Sequence, residues 1–137
     1  MTDTEKKPAG KKVFIVDDDR FLLDMYTIKF REEGHDVTEA PGSMEAVSKL
    51  SENGGDYDIL LLDVVMPAMD GFELLSEIKK KNLAPNATVV ILSNLGQPTD
   101  VEKGKALGAD GYIVKASATP SEVVERVMDI FNEKVNK

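Results

Sequence analysis

Five polar side chains stand where apolar runs of the chain stop abruptly. Asp17 and Asp18 follow Val13-Phe14-Ile15-Val16, Asp63 follows the run ending at Leu62, Ser93 follows Thr88-Val89-Val90-Ile91-Leu92, and Lys115 follows Tyr112-Ile113-Val114. One aspartate at such a point is ordinary, because turns favour it. Three together are different: clustered carboxylates repel, raise one another's pKa values and cost stability unless a cation compensates. Ligation by oxygen, without His or Cys, suits a hard ion, and Mg²⁺ keeps several waters while using one or two carboxylates and phosphate oxygens. Opposite such a cluster, Lys115 reads as the cation that neutralises part of the site and pairs with an incoming phosphoryl oxygen.

These residues meet only if the elements before them run the same way. The apolar runs are short and lack a polar face, as expected of strands covered on both sides, and they alternate with amphipathic stretches. That pattern is α/β, with a parallel sheet and crossover helices, so all strand C-termini line one rim where such folds bind ligands. Helices are expected over 20–33, with Leu22, Met25, Tyr26 and Phe30 on one stripe, over 43–52, after the loop 64–71 with Phe72, Leu75 and Ile78, and over 99–107. The 99–107 helix, with only Val101, Ala106 and Leu107 as apolar positions, should be the most weakly held. A last helix opens at Thr119-Pro120-Ser121-Glu122, which combines an N-cap, a first-turn proline and a capping-box glutamate. The more polar strand over 35–40 belongs at the sheet edge.

Composition narrows the function. The 137 residues suit one domain, with 1–10 as a flexible leader and 11–137 as the folded unit. A net charge of −8 disfavours direct nucleic-acid binding. The absence of cysteine excludes disulfides and thiolate chemistry. No apolar run approaches the ~20 residues of a membrane span and the start lacks a signal-peptide core, so the expectation is a soluble cytoplasmic protein.

Four motifs, Val13 to Asp18, "LLLDVVMPAMDG", Val89 to Ser93 and "GADGYIVK", resemble in order and spacing the receiver domains of two-component response regulators. The resemblance covers nearly the whole chain from Lys11. It implies a flavodoxin-like doubly wound sheet of five parallel strands in the order 2-1-3-4-5 with five helices, an order for which the chemotaxis receiver is itself a standard example. It implies Asp63 as phosphoacceptor, and Asp17, Asp18, Asp63 and the Val65 main-chain carbonyl as Mg²⁺ ligands. Ser93 and Lys115 would hold the phosphoryl group, with Tyr112 as the switch aromatic moving together with Ser93. The donor would be a sensor histidine kinase or a histidine phosphotransfer protein, and the output an undefined protein target. His35, in the loop after the first helix, is not that donor. The protein would be a signalling switch, catalysing only its own phosphorylation and dephosphorylation. With no DNA-binding module after the last helix, a stand-alone receiver is expected, monomeric unless phosphorylation drives dimerisation on the last helix and strand, where Asp110 and Arg126 would be exposed opposite charges.

The chain also departs from the pattern. Receivers usually carry proline after the active-site lysine, often with a cis bond, whereas this chain reads Lys115-Ala116-Ser117; a cis bond before alanine costs ~3 kcal/mol, so a trans bond is expected. Asn94 stands where alanine or glycine is frequent and should narrow access. Val65 and Leu95 cannot orient an attacking water, so loss of the phosphoryl group should be slow. Two other readings compete. A flavodoxin-type electron carrier would need a phosphate-cradling loop where Asp17-Asp18-Asp19 stands. An Asp-nucleophile phosphohydrolase would need an Asp-x-Asp at the first strand, which Asp17 and Asp19 match in part.

Overall fold

An aliphatic strand such as ILLL has no polar face and is stable only with a layer packed on each side. The computed structural model, which describes residues 10–136, has that arrangement. Strands β1 (Lys12–Val16), β2 (Asp36–Ala40), β3 (Ile59–Leu62), β4 (Thr88–Ser93) and β5 (Gly111–Val114) form one parallel sheet in the order β2-β1-β3-β4-β5. Helices α1 (Arg20–Glu32), α2 (Ser43–Glu52), α3 (Gly71–Lys80), α4 (Pro98–Ala106) and α5 (Pro120–Val135) alternate with the strands, and a 3₁₀ turn, Lys115–Ser117, follows β5. This is the expected flavodoxin-like fold, with β2 at an edge. Of the expected leader, all but Gly10 lies outside the described residues.

Strand alternation divides the core in two. Phe14, Val16, Leu60, Leu62, Val89 and Ile91 pack with α2 and α3 through Ala46, Leu50, Leu75 and Ile78. Val13, Ile15, Leu61, Leu92 and Ile113 pack with α1 and α5 through Leu23, Tyr26, Phe30, Val123 and Val127. Register then sets the rim. The last β1–β3 pair is Val16↔Leu62, so one further step brings Asp17 abreast of Asp63, and the Asp63 N–H still reaches the Val16 carbonyl at 3.0 Å. Asp17, Asp63 and Lys115 each lie two positions beyond Ile15, Leu61 and Ile113, on the α1/α5 side of the sheet.

The helices depart from expectation in detail. On α1 the buried stripe is Leu23, Tyr26, Thr27 and Phe30. This i, i+3, i+4, i+7 series leaves Leu22 and Met25 only half-buried, and Leu22 turns toward the rim. On α4 the one buried residue is Gly104, where a Cβ would lie 2.8 Å from Ile91 Cδ1 and 3.3 Å from the Tyr112 ring. The helix thus meets the sheet through bare backbone; of its three apolar positions, Val101 and Leu107 are half-buried and Ala106 is exposed. The Thr119–Glu122 capping box opens α5 as read from the sequence.

Asp110 and Arg126 are both exposed, as expected, but they have different partners. Val89 lies one step before the β4–β5 ladder, and Asp110 extends the pairing there: its N–H donates to the Val89 carbonyl at 2.7 Å and its carboxylate accepts the Val89 N–H at 2.8 Å. The same carboxylate pairs with Lys134 at 3.0 Å, so Asp110 ties the start of β5 to the end of α5 at the surface, while Arg126 reaches the Ser117 carbonyl at 3.5 Å.

Candidate functional site

The three consecutive aspartates after β1 have separate surroundings. Asp17 is buried; its Oδ1 accepts the Asp19 N–H at 2.9 Å, and its Oδ2 lies 2.8 Å from Lys115 Nζ. Asp18 is exposed. Asp19 is the N-cap of α1, its Oδ1 accepting the Leu22 N–H at 3.1 Å. Local hydrogen bonding thus spends the third carboxylate on starting the helix and leaves the first two at the rim. Asp63, 6% exposed, accepts its own neighbour's N–H, from Val64, at 2.8 Å on Oδ1, while Oδ2 faces Lys115 Nζ at 3.4 Å.

Carboxylate oxygens of Asp17, Asp18 and Asp63 all lie within 4.8 Å of one another, the one such cluster of three among the described residues. Asp18, Asp19, Leu22, Asp63, Val65, Ser93, Asn94 and Lys115 line a cavity of about 300 Å³. The rim therefore gathers Asp17, Asp18, Asp63, Ser93 and Lys115, as expected from strand direction. Burial, followed by repulsion from Asp17, pushes the Asp63 carboxyl up to about 6, against the pull of Lys115 and the Val64 N–H. Burial alone would lower the Lys115 ammonium, but its bonds and charge attraction to Asp17 and Asp63 outweigh that and hold it above the ordinary lysine value.

The loop after Asp63 is held from behind. The Gly71 N–H donates to the Val64 carbonyl at 2.8 Å, and a Cβ on Gly71 would lie 2.0 Å from the Asp63 carbonyl oxygen, so glycine is required at this close approach. Asp70 caps α3 in a capping box with Glu73. On the other side, Ser93 is fully buried, and its Oγ accepts the Leu95 N–H at 3.2 Å. Tyr112 is half-buried and its hydroxyl donates to the Leu95 carbonyl. The Lys115–Ala116 bond is trans, as expected, and the Ala116 N–H donates to Asn94 Oδ1 at 3.1 Å. Val65 and Leu95 are 60% and 38% exposed.

His35 is far from this rim. It follows the C-terminal end of α1, whose 13 residues span about 20 Å; its Nδ1 accepts the Lys11 N–H at 3.0 Å and its ring stands edge-on to Phe30. Two neighbours of the site were not singled out from the sequence. Leu22 lines the cavity because the chain turns directly from the aspartates into α1, and Tyr26, buried one turn below, is raised in pKa first by burial and feels the charges of Lys115, Asp17 and Asp63. Only the helical stripe marked Tyr26, and it marked it as core.

Comparison with known proteins agrees with this geometry. The family model for the response regulator receiver domain matches residues 13–128. The chain is 35% identical over 121 residues to the chemotaxis protein CheY of Halobacterium salinarum, covering 88% of this chain and 97% of that protein. Among solved structures it resembles the receiver domain of the Francisella response regulator 1452, with a TM-score of 0.80, 32% identity and coverage of 91% of this chain and 99% of that one. It also resembles a chain of the CheX-CheY-BeF3-Mg²⁺ complex from Borrelia burgdorferi, with a TM-score of 0.79, 36% identity and 88% of each chain covered. Sheet order, rim and matched motifs lead to one assignment: the chain belongs to the response regulator receiver domain family of two-component signalling proteins.

Proposed function

We propose that Asp63 is the phosphoacceptor of a signalling switch, taking a phosphoryl group from a phosphohistidine in a Mg²⁺-dependent reaction. The observation that carries this reading is the buried Lys115 ammonium, shared between Asp17 and Asp63 at the cavity where three carboxylates converge. One positive charge leaves that cluster net negative. The donor set fits a hard divalent ion: every side-chain ligand is oxygen, and Asp18 is exposed, which leaves room for retained waters. Asp17, Asp18, Asp63 and the Val65 main-chain carbonyl would hold it. When bound, Mg²⁺ supplies charge neutralisation to the transferring group.

The chain's own residues account for the rest. A carboxyl titrating at about 6 is mostly ionised at neutral pH, so Asp63 presents a nucleophilic oxygen. That oxygen forms the new P–O bond as the donor's P–N bond breaks, the electron pair leaving with the imidazole nitrogen. Lys115 lies closer to Asp17, at 2.8 Å, than to Asp63, at 3.4 Å, and so can keep the first contact while meeting a phosphoryl oxygen with its remaining protons. Ser93 Oγ accepts from Leu95, which leaves its own O–H to donate to that group. Drawing Ser93 in would disturb Leu95 and, through the Leu95 carbonyl, Tyr112, which supports these residues as the switch.

A sensor histidine kinase or histidine phosphotransfer protein is the proposed donor. Exposed Val65 lines the cavity, exposed Leu95 follows its lining residue Asn94, and Phe21, beside Leu22 in the first turn of α1, is 74% exposed, an apolar margin suited to a protein surface. The same margin offers no group to activate water, which supports slow loss of the phosphoryl group. Asp19 argues against the phosphohydrolase reading, because its carboxylate is committed to capping α1. The test is incubation with Mg²⁺ and acetyl phosphate. Stoichiometric labelling of the protein that is absent in Asp63→Asn is expected; labelling that survives this substitution, or sustained turnover of phosphate esters, would refute the reading.

A further inference from the structure

Among the polar side chains lining the cavity, Asp18, Asp63, Ser93 and Lys115 have parts in phosphoryl acceptance and Asp19 caps α1; Asn94 has no such part. Its side-chain hydrogen bond is unusual in what it joins. Oδ1 accepts the Ala116 N–H at 3.1 Å, across 22 residues, linking the loop after β4 to the turn after β5. A proline at 116 has no N–H to give, so the bond depends on this chain's alanine. Asn94 directly follows Ser93, and Ala116 directly follows Lys115, the two side chains that would grip a phosphoryl group from opposite sides. Nearby, Gly96 packs against Val114, where a Cβ would lie 3.0 Å from Cγ2, so the same loop is seated on β5 at a second point.

We infer that Asn94 is a positioning residue whose hydrogen bond to the Ala116 N–H sets the spacing between Ser93 and Lys115. A proline ring would stiffen the turn after Lys115 covalently; here the turn carries a free amide, and the Asn94 side chain restrains it from across the cavity. The two departures from the receiver pattern, at 94 and 116, are then one device. This rests on the phosphoacceptor reading of Asp63.

Beryllofluoride, the phosphoryl mimic, titrated calorimetrically into the Mg²⁺-saturated protein tests it. Asn94→Leu keeps the bulk and removes the acceptor; it should weaken beryllofluoride binding about two- to tenfold, the effect of losing one hydrogen bond, while Mg²⁺ affinity without the mimic stays unchanged. A general loss of structure would lower both. In an Ala116→Pro background, which lacks the N–H, Asn94→Leu should have no further effect. Should Ala116→Pro fail to fold, amide exchange decides: the Ala116 N–H should exchange faster in Asn94→Leu than in the parent. Unaltered affinity in Asn94→Leu, equal losses with and without the Ala116 N–H, or unaltered exchange would overturn the inference. If the parent protein itself does not bind beryllofluoride with Mg²⁺, the phosphoacceptor reading falls with it.

Discussion

Replacing Asp63 by asparagine should stabilise the metal-free protein although it removes the proposed nucleophile. The Asp63 carboxyl is held at about 6 in the folded chain against 3.8 as its ordinary value, chiefly by burial and by Asp17. The folded state therefore binds its proton more tightly than the unfolded state. Protonation of this group contributes stability that is fully present below about pH 4 and lost as pH rises through about 6. Above that, the ionised side chain costs up to about 3 kcal/mol relative to a neutral one. Asparagine keeps an oxygen for the Val64 N–H, but turns an amide toward Lys115, which retains Asp17; the expected net gain is about 1 to 2 kcal/mol. Urea unfolding in EDTA at about pH 7.5 and about pH 4 measures it. The gain should appear at the higher pH and vanish at the lower. Saturating Mg²⁺ should reverse the order, since hundredfold excess over the parent's dissociation constant adds about 2.7 kcal/mol to the parent and little to a variant lacking one ligand. A variant less stable than the parent at both pH values without metal would refute the account of the Asp17–Asp63 repulsion.

Other substitutions probe separate parts of the site. Lys115→Met removes the cation from two buried carboxylates and should cost about 3 kcal/mol in EDTA by urea unfolding, with part recovered on adding Mg²⁺. Asp18→Asn, at an exposed position, should change metal-free stability by less than about 0.5 kcal/mol yet abolish most of the Mg²⁺-induced rise in melting temperature. Gly71→Ala drives a methyl against the Asp63 carbonyl and should cost about 3 kcal/mol or more in denaturant midpoint terms.

The convergence of Asp17, Asp63, Ser93 and Lys115 was legible because it follows from strand direction alone: aliphatic runs without a polar face must lie in a covered parallel sheet, and their ends must share a rim. What escaped was decided by contacts between residues remote in sequence. Asp110 is free by local pattern, but Val89 and Lys134, 21 and 24 positions away, claim its carboxylate. The α1 stripe was misplaced toward Leu22 and Met25 because Thr27, a polar residue, occupies part of the buried face, its hydroxyl without a hydrogen-bond partner among the described residues. Val101, Ala106 and Leu107 were the apolar positions counted for α4, whereas the helix approaches the sheet through Gly104, where the absence of a side chain is the signal.

The two glycines at 71 and 104 give the domain a directional stiffness. At Gly71 the start of α3 is wedged against the Asp63 carbonyl, with Leu74, Leu75 and Ile78 buried below, so displacement of Asp63 toward that flank meets a solid wall. At Gly104 the neighbouring helix meets the sheet through bare backbone, with Val101 only half-buried beside it, so less interlocking opposes its sliding. Strain imposed at Asp63 would therefore be taken up on the α4 side, where the packing is shallower.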